Sequence, residues 1–112
     1  MGGRANICNI YSGGDEIYFY THNRGTDLPV ILQEALQKRW RWADEAYLAR
    51  IIFCHLVKGM EGSEYSFGIA PYEIDPNHDT IEVLHAEQVV VLMGSHYSFE
   101  EYCDLDLSTI RY

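Results

Sequence analysis

Five histidines, three cysteines and one basic-aromatic run are the residues of this 112-residue chain whose types invite chemistry. His22, His55, His78, His85 and His96 show no HExxH or His-x-His spacing, the patterns that set two imidazoles on one ion, so no metal site is expected. Cys8, Cys54 and Cys103 are far apart, odd in number and without a CxxC pair. They read as small apolar residues, with Cys54 in the core, rather than as a disulfide or zinc framework. A nucleophilic pair of Cys54 with His55 is unfavourable, because consecutive helical residues point about 100° apart. No GxSxG, phosphate loop or dinucleotide-binding glycine pattern occurs, so no cofactor is expected and binding is favoured over catalysis.

Three groupings of polar residues remain. The first is acidic: residues 1–58 carry seven Lys and Arg against six Asp and Glu, whereas residues 59–112 carry Arg111 alone against eleven carboxylates. Glu100, Glu101, Asp104 and Asp106 cluster near the end with Tyr97 and Tyr102, a negative face with aromatic anchors that suits a basic partner surface. The second is a pocket around His22, which ends a strand before a polar loop, with Tyr20, Arg24 and His85 as further lining. The third is KRWRW, Lys38 to Trp42, which interleaves cations and indoles as single-stranded nucleic-acid binders do. The net charge of −9 disfavours direct nucleic-acid binding. Trp40 and Trp42 are therefore read as closing the core between two helices, with Lys38, Arg39 and Arg41 in solvent.

The elements that must position these groups are well signalled. Leu28, Ile31, Leu32, Ala35 and Leu36 recur at helical spacing opposite Gln33, Glu34, Gln37 and Lys38, with Thr26 or Asp27 to cap the start and Pro29 in the first turn. A second helix has Asp44 as N-cap and Gly59 as a left-handed stop, and Tyr47, Leu48, Ile51, Ile52, Cys54, His55 and Leu56 make it apolar around more than half its circumference. Before the helices, Arg4 to Tyr11 and EIYFYTH form a hairpin about SGGDE. After them, Tyr65 to Tyr72, Thr80 to His85 and Gln88 to Met93 read as strands. DPNHD is a turn between the first two, and Ser98 to Glu101 is a capping box opening a short last helix. Val89 to Leu92 is a continuous apolar run, expected to be central and buried on both sides. The order β-β-α-α-β-β-β-α describes one α+β domain over residues 1–112, an antiparallel or mixed sheet of about five strands with two packed helices on one face. Tyr18, Tyr20, Glu82 and His85 are expected on the other face.

At 47% hydrophobic, with no apolar run near 18 residues and no apolar signal region in MGGRANIC, the chain is expected to be cytoplasmic, without a membrane span. Asn6 stands where a myristoylation motif beginning at Gly2 wants Ser or Thr. The residues Arg4-Ala5-Asn6-Ile7, Tyr18 to His22, Leu28-Pro29, Arg41-Trp42, Tyr47 to Phe53 and Phe67-Gly68-Ile69 together resemble a group of small uncharacterised proteins from phages, prophages and bacteria. The resemblance covers residues 4–80 and leaves the acidic end outside; Asn23 stands where the group carries Trp. It implies a phage-like setting, in which small acidic proteins act as inhibitors of host defence or host enzymes. The expected function is thus a non-enzymatic acidic binding protein that occupies the basic surface of a host protein, in the manner of a nucleic-acid mimic. The alternative is a small enzyme or ligand-binding domain using the pocket near His22 and Arg24. A homodimer through Val89 to Met93 or the exposed aromatics is a third reading.

Overall fold

The computed structural model describes residues 3–75 and 80–109. Strands β1 (Ala5–Ile10) and β2 (Glu16–Thr21) precede helices α1 (Leu28–Gln37) and α2 (Glu45–Val57). Strands β3 (Phe67–Ala70), β4 (Thr80–Leu84), β5 (Val89–Leu92) and β6 (Ser95–Ser98) follow, and then helix α3 (Phe99–Cys103). The sheet has six strands in the order β3-β2-β1-β4-β5-β6, antiparallel throughout except for the parallel β1–β4 pair. The α+β expectation holds, with one strand more than five. The extra strand is the polar segment Ser95–Ser98, joined to β5 by Met93 and Gly94 with φ of 51° and 83°, the left-handed pair that a two-residue hairpin requires. A Met in that conformation gives no turn signal in sequence.

Alternation along β1 sets the layering. Ala5 and Ile7 meet Phe19, Ile81, Val83, Val90 and Leu92 beneath Leu28, Leu32, Leu36, Leu48, Ile52 and Leu56 of the two helices. Every residue of the α1 stripe is buried. Gln37 is exposed as expected and Gln33 is half-buried, and both donate to carbonyls of Tyr102, Leu105 and Cys103 at 2.8–2.9 Å, pinning the chain after α3 against α1. Asp44 caps α2 through the Tyr47 amide and Gly59 stops it at φ 85°, as the sequence predicts. Asp27 caps α1 without a side-chain bond, because a 3-10 turn over Gly25–Asp27 leads into the helix. Cys54, expected in the core, is exposed; Cys8 and Cys103 are the buried thiols.

The outer face of the sheet is partly roofed by the β3–β4 connection. Asn6 is fully buried and clamps it from both sides, donating to the Ile74 carbonyl at 2.7 Å and accepting from the Ile74 amide at 3.3 Å. The expected turn DPNHD, with His78, lies outside the described residues except for Asp75. Strand β5 is not central: it lies one strand in from the β6 edge, with Val90 and Leu92 buried and Val89 and Val91 half-buried. Both its backbone edges are paired, so a second copy cannot add to it by strand pairing. Among the described residues no helix is long and apolar enough to cross a membrane.

Candidate functional site

The acidic cluster sits at the β6 edge of the sheet, on and after α3. Ser98 and Glu101 form the predicted capping box, each accepting the other's backbone amide, at 3.0 and 2.8 Å. Glu100 takes both terminal nitrogens of Arg39, at 2.6 and 2.9 Å, and that charge-assisted pair holds its carboxyl below the ordinary carboxylate range. The Ser108 hydroxyl and amide do the same for Asp106. Asp104 is exposed. Tyr97 is half-buried against Tyr102. Tyr102, expected as a contact anchor, is a core residue, fully buried with its hydroxyl donating to the Pro29 carbonyl at 2.7 Å. Its position one turn from the Ser98 cap turns it inward, between α1 and β6.

In the KRWRW elbow the two tryptophans part company. Trp42 seals the core as expected, its indole nitrogen donating to the Leu36 carbonyl and its ring set edgewise on Phe99. Trp40 is 58% exposed. Lys38 lies over Trp40, Arg39 over Trp42 and Arg41 over Tyr47, 4.7–5.1 Å from the ring centroids. Arg39 and Arg41 have φ of 57° and 60°, left-handed conformations that turn these side chains back onto the rings.

The His22 grouping is only partly assembled. The Tyr20 hydroxyl and His22 Nδ1 lie 3.3 Å apart, while Arg24 turns inward to donate to the Leu56 carbonyl at 3.0 Å. Burial raises the Tyr20 hydroxyl pKa. His85 does not join them. It follows β4 at the opposite end of the sheet, where its amide donates to the Ile10 carbonyl, whereas Thr21 before His22 pairs with Ala5. Five residues of β1 at about 3.3 Å each put the two ends roughly 16 Å apart. Nor is His85 on the outer face with Glu82: an odd offset along the strand points it to the helix side, 4% exposed. His96 lies on β6 and is exposed, so the three histidines do not meet.

Around His85 the structure makes a cleft the sequence does not announce. Three adjoining cavities, of about 480, 510 and 550 Å³, follow the β1–β2 turn: the first lies where that turn meets the start of α2 and the β4–β5 turn, the second runs to Pro71 after β3, and the third lies against the start of α2. The first is lined by Ser12, Trp42, Asp44, Glu45, His85 and Gln88, and the others add Tyr11, Asp15 and Glu16. Glu45 is the junction, accepting from the Ser12 amide at 3.0 Å and the Ser12 hydroxyl at 3.1 Å. Tyr11 stacks on the His85 ring at 5.2 Å, and burial followed by Glu45 raises its hydroxyl pKa.

The state of His85 follows from its partner. Asn9 is fully buried and donates its amide nitrogen to the Ile17 carbonyl, so its oxygen faces His85 Nε2 at 2.9 Å. That oxygen carries no hydrogen, so Nε2 must donate, and in the neutral ring Nδ1 is left as a bare lone pair. Burial pushes the imidazole down to about 4, against the pull of Glu45, which keeps the ring neutral near physiological pH. Nδ1 has no hydrogen-bond partner, the one such buried side-chain nitrogen or oxygen among the described residues. Asn9 and Glu45 were legible only faintly: a polar residue alternating with Ala5 and Ile7 on a core face signals a buried polar pair, but not its partner.

Among the described residues no group of three His, Cys, Asp or Glu side chains is placed to hold a metal ion. No family model, curated protein sequence or solved structure matches the chain at a significant level.

Proposed function

We propose that the protein is a non-enzymatic binding protein that covers a basic surface on a partner protein. In the phage-like setting the sequence resembles, that partner is a host defence or nucleic-acid-binding protein in the host cytoplasm, and the acidic face takes the place of a nucleic-acid backbone. One observation carries the reading. The described residues from 59 to 109 include no Lys or Arg, and of their ten carboxylates only Asp75 and Glu100 are in ion pairs, with Arg4 and Arg39. The capping bond of Glu101 and the Ser108 bonds of Asp106 orient those carboxylates without removing their charge. A fixed negative surface of this kind steers a basic partner and accelerates encounter at low salt. Asp104, Asp106, Glu100 and Glu101 are the proposed contacts, with Tyr97 at the rim; Tyr102 supports them from the core.

The test is capture of host nucleic-acid-binding proteins on the immobilised chain, at low and high salt, with and without competing duplex DNA. The expected result is capture that salt and DNA both suppress and that charge reversal at Asp104 and Asp106 abolishes. Capture indifferent to all three treatments refutes the reading.

A further inference from the structure

The cleft at the His85 end is independent of the acidic edge and has a ligand chemistry of its own. Its lining is short of donors and rich in acceptors. The Tyr11 hydroxyl and one N–H of Gln88 apart, the side-chain donors are engaged: Ser12 with Glu45, Trp42 with the Leu36 carbonyl, His85 Nε2 with Asn9, and Gln88 with the Trp42 carbonyl at 3.4 Å. What remains is the Glu45 carboxylate, each oxygen of which has accepted one bond of the two or more it can take, together with the lone pair of His85 Nδ1. No Lys or Arg lines any of the three cavities, while Asp15, Glu16, Asp44 and Glu45 do. Arg41 pairs with Asp44 at 3.6 Å and leaves Asp15, Glu16 and Glu45 without an ion-pair partner among the described residues.

We infer that this cleft binds an organic cation bearing N–H donors, a guanidinium or primary ammonium group, held by the Glu45 carboxylate and donating to His85 Nδ1. A buried polar atom without a partner is rare enough to need an account, and a donor brought by a ligand supplies one. An anion is excluded by the carboxylates. Nδ1 has less than 1 Å² exposed, so the groups packed at that edge of the imidazole must shift for a donor to reach it. Trp42 and Tyr11 line the same cleft and give it apolar wall beside the charge.

The experiment is a titration of the whole chain with methylguanidinium chloride at constant ionic strength, followed by the ring nitrogen resonances of His85 and the indole resonance of Trp42. The expected result is a saturable movement of His85 Nδ1 from the free lone-pair position toward the hydrogen-bonded one. Methylurea, a neutral analogue of similar size and shape that keeps three of the five N–H donors, should bind at least tenfold more weakly. Glu45→Gln should weaken methylguanidinium binding by about tenfold with the Trp42 resonance unchanged in the free protein, which shows that the fold is kept. Ser12→Ala, which releases both a donor and a competitor from Glu45, should leave affinity unchanged or raise it. An acetylated and amidated Gly-Arg-Gly peptide separates the two sources of such a cation. Tighter binding than methylguanidinium assigns the site to an arginine on a protein, and equal binding assigns it to a small molecule. Equal binding of methylurea, an unmoved His85 Nδ1 at saturation, or an undiminished affinity in Glu45→Gln overturns the inference.

Discussion

At the Ala5 end of β1, Thr21 accepts the Arg24 amide, the Arg24 guanidinium reaches the Leu56 carbonyl, and the Tyr20 hydroxyl meets His22. At the Ile10 end, Asn9 and His85 complete one bond between them and leave Nδ1 with none. Each end presents a histidine just past a strand, beside a tyrosine and a charged side chain. The first is closed, its cation spent on a helix carbonyl; the second keeps a carboxylate at a cavity and, buried beside it, a lone pair without a partner. Residue types alone rank the two ends alike. Partner accounting separates them, because a histidine whose polar neighbours are engaged elsewhere has little left to offer a ligand.

The comparison breaks most sharply at Asn9. Asn9→Ala leaves the buried Nε2–H of His85 without a partner, and is expected to cost about 3 kcal/mol in urea unfolding. Acid gives a similar magnitude by another route. The folded value of about 4 lies below the ordinary 6.5, so as pH falls the unfolded chain takes up the His85 proton first. Stability contributed by His85 is therefore complete above pH 6.5, declines by roughly 3 kcal/mol on the way down to pH 4 and changes no further below it. Urea midpoints measured across that window should show the slope, and His85→Gln should remove its His85 share. The smallest effect belongs to the closed end. Arg24→Met removes a single hydrogen bond to the Leu56 carbonyl, and about 1 kcal/mol is expected in the same assay. A loss at Arg24 as large as that at Asn9 would mean that the two ends do not differ as described.

Most of the scaffold was legible because local and long-range signals agree along it. The α1 stripe, the Asp44 cap, the Gly59 stop and the Ser98 capping box each appear where pattern and chemistry put them. Legibility failed where one residue type serves two environments. Tyr102 looks like an interface anchor and is a core residue, since its hydroxyl finds the Pro29 carbonyl in the interior. Trp40 looks like its neighbour Trp42 and is exposed, because two left-handed arginines turn the elbow between them. Ser95–Ser98 has no apolar alternation, and its place in the sheet comes from the turn before it rather than from its own side chains. The cleft was invisible for a further reason: Ser12 and His85 come from two separate turns and Glu45 from the start of α2, which only the order of the strands brings together.

The parallel pairing of β1 with β4 has a consequence in time. The β1–β2 hairpin and the α1–α2 pair are made from neighbouring stretches of chain, but Ile7 waits for Ile81 before its second edge is occupied. Non-local pairing of this kind is slow, since a long loop must close before any contact rewards it. A chain still emerging from the ribosome therefore carries β1 with one edge unpaired until Leu84 is free to dock. In that interval Ala5, Ile7 and Cys8 lie beside an open row of backbone donors and acceptors, which makes β1 the segment through which a half-made chain would pair with the wrong partner.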